Sequence, residues 1–151
     1  TQLSEARGTT RPFELVGAPY VDGYALRDKL LSLGLEGIAF RPTMFEPTFH
    51  KFKEQSCGGI QLHVTHRDDF DSYKTGLAVI WATKQLWPND FKWRDGVYEF
   101  RDDEPAIDLL TGFAEVRVAI DNGESFDTVL KHALQGTEIY DSGREAALIY
   151  D

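Results

Sequence analysis

Ile60, Leu62 and Val64 alternate with Gln61, His63 and Thr65, a period of two that predicts a strand over Ile60–Thr65 with one buried face. Leu26, Leu30 and Leu33 recur instead at helical spacing. They predict a helix over Gly23–Leu33, with Asp22 as its N-cap and Gly34 as its stop. Leu77, Ile80, Trp81 and Lys84 share one face of a longer helix. Asp69 or Asp71 caps it, and Pro88 stops it after Trp87.

Between these elements the periods fail and the turn-forming residues speak. Gly37 opens a strand, Ile38–Arg41, that Pro42 is expected to close. Pro42–Gly59 fits neither period, although it holds Met44, Phe45, Phe49 and Phe52, and it reads as a long loop of the kind that carries function. Pro12–Val16 reads as a short turn stopped by Gly17 and Pro19. Thr1–Thr10 reads as a linker or a strand-edge segment. Asp95-Gly96 predicts a hairpin joining Phe91–Arg94 to Val97–Phe100. Pro105 suits the first turn of a short helix ending at Gly112. A helix over Phe113–Asp121 follows, then one capped by Ser125 and interrupted by Gly136, then a partly helical Thr137–Asp151. The sum is an α+β fold, a small mixed or antiparallel sheet with helices packed on one side. The expected organisation is a junction over residues 1–10 and a single domain over residues 11–151.

Charge narrows the partners. Lys and Arg number 16 against 25 Asp and Glu, a net charge of -9 with no basic stripe to reverse it. That field repels nucleic acid and anionic lipid. The single cysteine, Cys57, permits no internal disulfide. No apolar run reaches the length of a membrane span. Aromatic residues make up 13%, which suits a core and equally a sugar-binding or protein-binding surface.

Several residues carry candidate chemistry. Cys57 precedes the best strand and His63 lies along it, the residue types of a nucleophile and its base, but no third orienting group accompanies them. A small buried thiol beside Gly58-Gly59 is the plainer reading. His63 and His66 are three apart, so on a strand they point to opposite faces and cannot share a metal. Glu14, Asp22, Glu36, Glu46, Asp68, Asp69 and Asp71 offer carboxylates, yet no pair stands out as an acid and base for glycoside hydrolysis. Arg7, Arg11 and Arg41 lie beside Gly8, Pro12 and Pro42. In so acidic a chain, arginines placed there suit one anionic ligand, or salt bridges to neighbours such as Glu14. No cofactor and no metal is expected.

Three ordered motifs go further: Thr1 to Glu14 with Gly17-Ala18-Pro19; Arg41-Pro42, Phe45 and Pro47-Thr48-Phe49; and Cys57-Gly58-Gly59-Ile60-Gln61-Leu62-His63-Val64-Thr65. Together they resemble the C-terminal half of the exo-β-N-acetylmuramidase (NamZ-like) family, long catalogued as a domain of unknown function. The resemblance runs over nearly the whole chain and fades after Gly112, where Arg144 and Leu148-Ile149-Tyr150 still fit. Gln2 stands where the family usually has Asn, and Ala6 where it has Gly, which accepts φ > 0 more readily.

The resemblance implies a bacterial protein, periplasmic or secreted, in which a Rossmann-like N-terminal domain precedes this one and carries the main catalytic carboxylate. This chain would then be an accessory domain, with no catalytic residue of its own, closing one wall of the cleft. The partners implied are that missing domain and muramic-acid-containing peptidoglycan fragments. Arg7, Thr9, Arg11, Arg41, Phe45, Phe49 and His63 are the substrate-binding residues this points to, with the lactyl carboxylate of muramic acid as the anion for Arg7 or Arg11. Phe45 and Phe49 either pack on a sugar face or fill the core. The competing readings are a stand-alone carbohydrate- or protein-binding module without catalysis, and a purely structural domain.

Overall fold

The computed structural model describes residues 1–145 and 147–150. Three antiparallel strands form one sheet: β1 (Leu15–Ala18), β2 (Ile38–Phe45) and β3 (Cys57–Val64), in the order β1-β3-β2. The central strand fixes both faces. Its register sets Ile60 and Leu62 beside Pro42 and Phe40 of β2, and Ile60 beside Val16 of β1. Residues of that parity face the helices, as side chains alternate along a strand.

Helix α1 (Gly23–Leu31) covers this face and buries Leu26 and Leu30 completely. The Asp22 carboxylate caps it, accepting from the backbone N–H groups of Tyr24 and Ala25 at 2.8 and 3.1 Å. Helix α2 (Ser72–Leu86) packs against α1, and its N-cap is Asp71, which accepts from Lys74 N–H at 2.9 Å. Leu77 and Trp81 are buried as their spacing predicts. Three short helices add a further layer: α3 (Ala106–Thr111), α4 (Ala114–Asp121) and α5 (Phe126–Ala133). Trp81 ties α2 to them. Its indole N–H donates to Glu124 O at 2.8 Å, and its ring lies 5.6 Å from that of Phe126. Of the helical tail expected over Thr137–Asp151, Thr137–Glu145 forms α6, while Ala146 and Asp151 lie outside the described residues.

The structure departs from the pattern in three places, and it decides between the two readings of Thr1–Thr10. Leu15–Ala18 is a strand, not the tail of a turn. Gly17 does not break it, because Gly17 faces Gly59 across the ladder. A Cβ on Gly17 would strike the carbonyl of Gly58, and one on Gly59 would strike that of Val16. Glycine here permits two backbones to approach. Pro42 likewise lies inside β2, not at its end. β2 is an edge strand, where a missing N–H need not break a ladder. The expected long loop therefore shrinks to residues 46–56.

The hairpin about Asp95-Gly96 does not form. An isolated bridge joins Tyr98 to Arg101 around Glu99 and Phe100. Phe91 is instead drawn into the core at 3% exposure, and the Trp93 indole donates to Asp121 on α4 at 2.9 Å. Tertiary anchors win over a local turn signal. Lastly, Thr1–Thr10 takes the strand-edge role. Ser4 pairs with Gly17, and Leu3, Ser4 and Ala6 are buried. Ala6 has φ 58, the left-handed region that favours glycine.

Candidate functional site

The sheet face away from the helices differs at its two ends. At one end Leu15, Phe45 and Cys57 pack with Ala6 and half-buried Phe52 into a small second core. The chain before β1 and the loop of residues 46–56 supply its cover. Thr48 holds the two together, donating from its N–H and its hydroxyl to Gly8 O, both at 2.9 Å. Gly8 must be glycine there, since φ is 87 and a Cβ would lie 2.7 Å from Phe49 N. Lys51 adds a third tie, its ammonium donating to Leu3 O at 2.9 Å.

Beside this core, where Leu15 faces Gln61 across the ladder, a polar chain crosses the sheet, and the face opens beyond it at exposed Arg41 and His63. Arg41 of β2 donates through Nη2 to Gln61 Oε1 at 2.8 Å. Gln61 of β3 donates through Nε2 to Glu14 Oε2 at 3.2 Å. Arg11 completes the chain, 3.0 Å from the same Glu14 oxygen. Gln61 is only 2% exposed, so its amide is satisfied at both ends and fixed in orientation by its neighbours. Its parity on the strand sets it beside exposed His63 and exposed Arg41.

A second cationic group adjoins the first. Glu5 lies 3.2 Å from Arg7, 2.9 Å from Lys51 and 3.7 Å from His50. The Arg7 guanidinium also sits 5.4 Å from the centre of the exposed Phe13 ring. Burial pushes the Glu5 carboxyl upward, but the Lys51 hydrogen bond and the cations hold it below its ordinary value. The hydrogen bonds from Arg11 and Gln61 hold Glu14 low as well. Both carboxylates are therefore ionised at neutral pH and have no proton to give a leaving group.

The expected residues thus separate. Arg11, Arg41 and His63 share the open face. Arg7 belongs to the adjoining cluster. Phe49 is 58% exposed on the loop held against Gly8. Thr9 orders the turn between them, its hydroxyl donating to Ala6 O at 2.8 Å and accepting from Arg11 N–H at 3.1 Å. Phe45 is 9% exposed and fills the second core, so it presents no ring to a ligand. Arg11 is indeed a salt-bridge partner of Glu14, and Arg7 of Glu5.

Cys57 and His63 share a face but lie six residues apart on one strand, about 20 Å. They do not form a nucleophile pair. Burial, with Glu46 adding to it, pushes the Cys57 thiol up to about 11, the opposite of what a reactive thiolate needs. Sequence reasoning missed Gln61 and Lys51. Gln61 left a trace, an amide at the centre of the best strand. Lys51 left none, because its partners, Leu3 and Glu5, are more than forty positions away.

Comparisons with known proteins meet this geometry. The chain is 39% identical over 150 residues to the peptidoglycan beta-N-acetylmuramidase NamZ of Bacillus subtilis, across 99% of this chain and 34% of that protein. It therefore spans about a third of the curated relative it matches. In the crystal structure of a DUF1343 family protein from Bacteroides fragilis, 38% of the chain superposes on 99% of this one with a TM-score of 0.80, at 22% identity. That likeness shows the α+β fold. Residues 1–150 match the family described as exo-beta-N-acetylmuramidase NamZ, C-terminal, and the chain belongs to that family.

Proposed function

We propose that this chain is the C-terminal accessory domain of a peptidoglycan β-N-acetylmuramidase, and that its open sheet face forms one wall of the substrate cleft. The single observation that carries this reading is the arginine-bearing polar chain, Arg41–Gln61–Glu14–Arg11, laid over the sheet face opposite α1, with Arg41, Glu14 and Arg11 exposed. N-acetylmuramic acid bears a lactyl carboxylate. A protein with a net charge of -9 repels such a ligand unless a local positive group opposes it. Arg7, Arg11 and Arg41 supply that group, exposed Phe49 supplies a ring for a sugar face, and His63 stands beside them. Catalysis itself is assigned to the part of the longer protein outside this domain, because Glu5 and Glu14, tied to Arg7, Lys51 and Arg11, offer no protonated acid to work beside a second carboxylate.

The test uses the longer protein that carries this domain, with chromogenic glycosides of N-acetylmuramic acid and N-acetylglucosamine. Removing one charge-assisted pair costs about 1.5–3 kcal/mol. Arg7→Ala, Arg11→Ala and Arg41→Ala are each expected to lower kcat/KM for the acidic sugar by the corresponding factor of about ten to a hundred. The neutral sugar should be little affected. Unchanged preference in all three variants would reduce the arginines to salt-bridge partners. Turnover by the isolated chain, abolished by Glu14→Gln, would move catalysis into this domain.

A further inference from the structure

Two adjoining, mostly apolar hollows lie along α2, and the larger reaches Glu5, Lys51 and Phe13 beside the candidate site. One, of about 360 Å3, runs between the sheet and α2 and is lined by Val16, Leu62, Phe70 and Ile80. The other, of about 240 Å3, lies between Ile80, Trp93, Ile107 and Leu110. Both are lined by Thr1, Lys51 and Ile80, so they form one groove. Large apolar side chains stand exposed at its two margins, Phe13 at 66% and Leu110 at 63%. Gly76, in the middle of α2, also lines it. Nothing lies within 4 Å of where its Cβ would be. A glycine inside a helix costs about 1 kcal/mol relative to alanine, and no close approach within this domain explains it.

We propose that this groove is the docking surface for the N-terminal part of the protein, which seats an apolar element against α2 at Gly76. The inference rests on the accessory-domain reading above and adds where the two parts meet. Three observations select this occupant. The family matched is a C-terminal one, and the chain spans 34% of the relative and 38% of the solved homologue, so in both relatives most of the protein lies outside the matched region. Thr1 lines both hollows, so a chain arriving at Thr1 arrives in the groove. Phe13 forms the margin on one side and carries the Arg7 guanidinium on its ring, so whatever fills the groove comes up to the candidate site. An apolar groove with a bare glycine in its wall fits a close-packed apolar element, not a soluble sugar.

Hydrogen exchange read by mass spectrometry tests this, comparing residues 72–80 in the longer protein and in this chain alone. The expected result is exchange about tenfold or more slower in the longer protein. Gly76→Trp, for which the isolated domain has room, should remove that protection without lowering the melting temperature of the isolated chain. Phe13→Asp should do the same from the other wall, and Leu31→Gln, exposed on α1 outside the groove, should not. Equal exchange in both proteins overturns the proposal. So does protection that survives both groove substitutions, or protection of the isolated chain that grows with its concentration, which would make the occupant a second copy. The readout involves no substrate, so loss of the sugar-binding reading and loss of this one are separately visible.

Discussion

The sheet half of the molecule and the helical half are held by different means. In residues 1–64, main chain lies on main chain. Gly17 faces Gly59, Gly58 abuts the carbonyl of Val21, and Gly8 accepts two hydrogen bonds from Thr48. In residues 106–145 the elements meet through side chains at helical spacing. Val116, Ala119 and Ile120 line the buried face of α4, and Phe126, Val129 and Ala133 that of α5. Polar contacts there also run through side chains, as in the bidentate pair of Arg117 with Asp108 at 2.8 and 2.9 Å. The difference has a consequence for change. Backbone contacts leave no room for a side chain, whereas an amphipathic helix constrains only its inner face.

Four substitutions break or sharpen that contrast. Gly59→Val should cost the most, about 3 kcal/mol or more, because its Cβ meets main-chain atoms that cannot rotate away. Urea unfolding measures it, and a loss under 1 kcal/mol would show the strands to be looser than described. Asp108→Ala should cost about 1–3 kcal/mol, since it strips the charge-assisted pair from Arg117. The same unfolding assay with the Arg117→Met partner variant gives the coupling, and additive losses would deny the pair any role. Gly143→Ala, in exposed α6 with nothing within 4 Å of its Cβ, should gain about 0.5–1 kcal/mol. A loss there would show that α6 packs on something.

The smallest effect should fade in acid. The Glu5 carboxyl titrates below its ordinary 4.5 in the folded chain. Its contribution is therefore complete at neutral pH and declines as pH falls below about 4.5. Glu5→Gln should be less stable than the parent at neutral pH, and the gap should close towards pH 3. A gap that stays constant down the acid limb would mean that the Lys51 and Arg7 contacts do not hold the carboxylate.

What could be read from the chain itself was local. Asp22, Asp71 and Ser125 cap the helices their position predicts, because a cap is settled within four residues. The alternation of Ile60, Leu62 and Val64 marked the central strand because a half-buried strand writes its two faces into a period of two. The three ordered motifs pointed to the family, and Arg7, Arg11 and Arg41 were singled out by residue type and neighbours.

Only the tertiary structure decided the rest, each time because the deciding partner was distant. Gly17 and Pro42 look like breakers until the ladder shows one facing Gly59 and the other on an edge strand. Asp95-Gly96 looks like a hairpin until Phe91 and Trp93 are pulled towards α2 and α4. Phe45 and Phe49 are alike in composition and context, yet one is core and the other surface, because only one lies on the strand face that Leu15 and Ala6 cover. Gln61 becomes the centre of the candidate site through Arg41, twenty positions away, and Glu14, forty-seven away. Sequence periods record which face of an element is buried; they do not record what buries it.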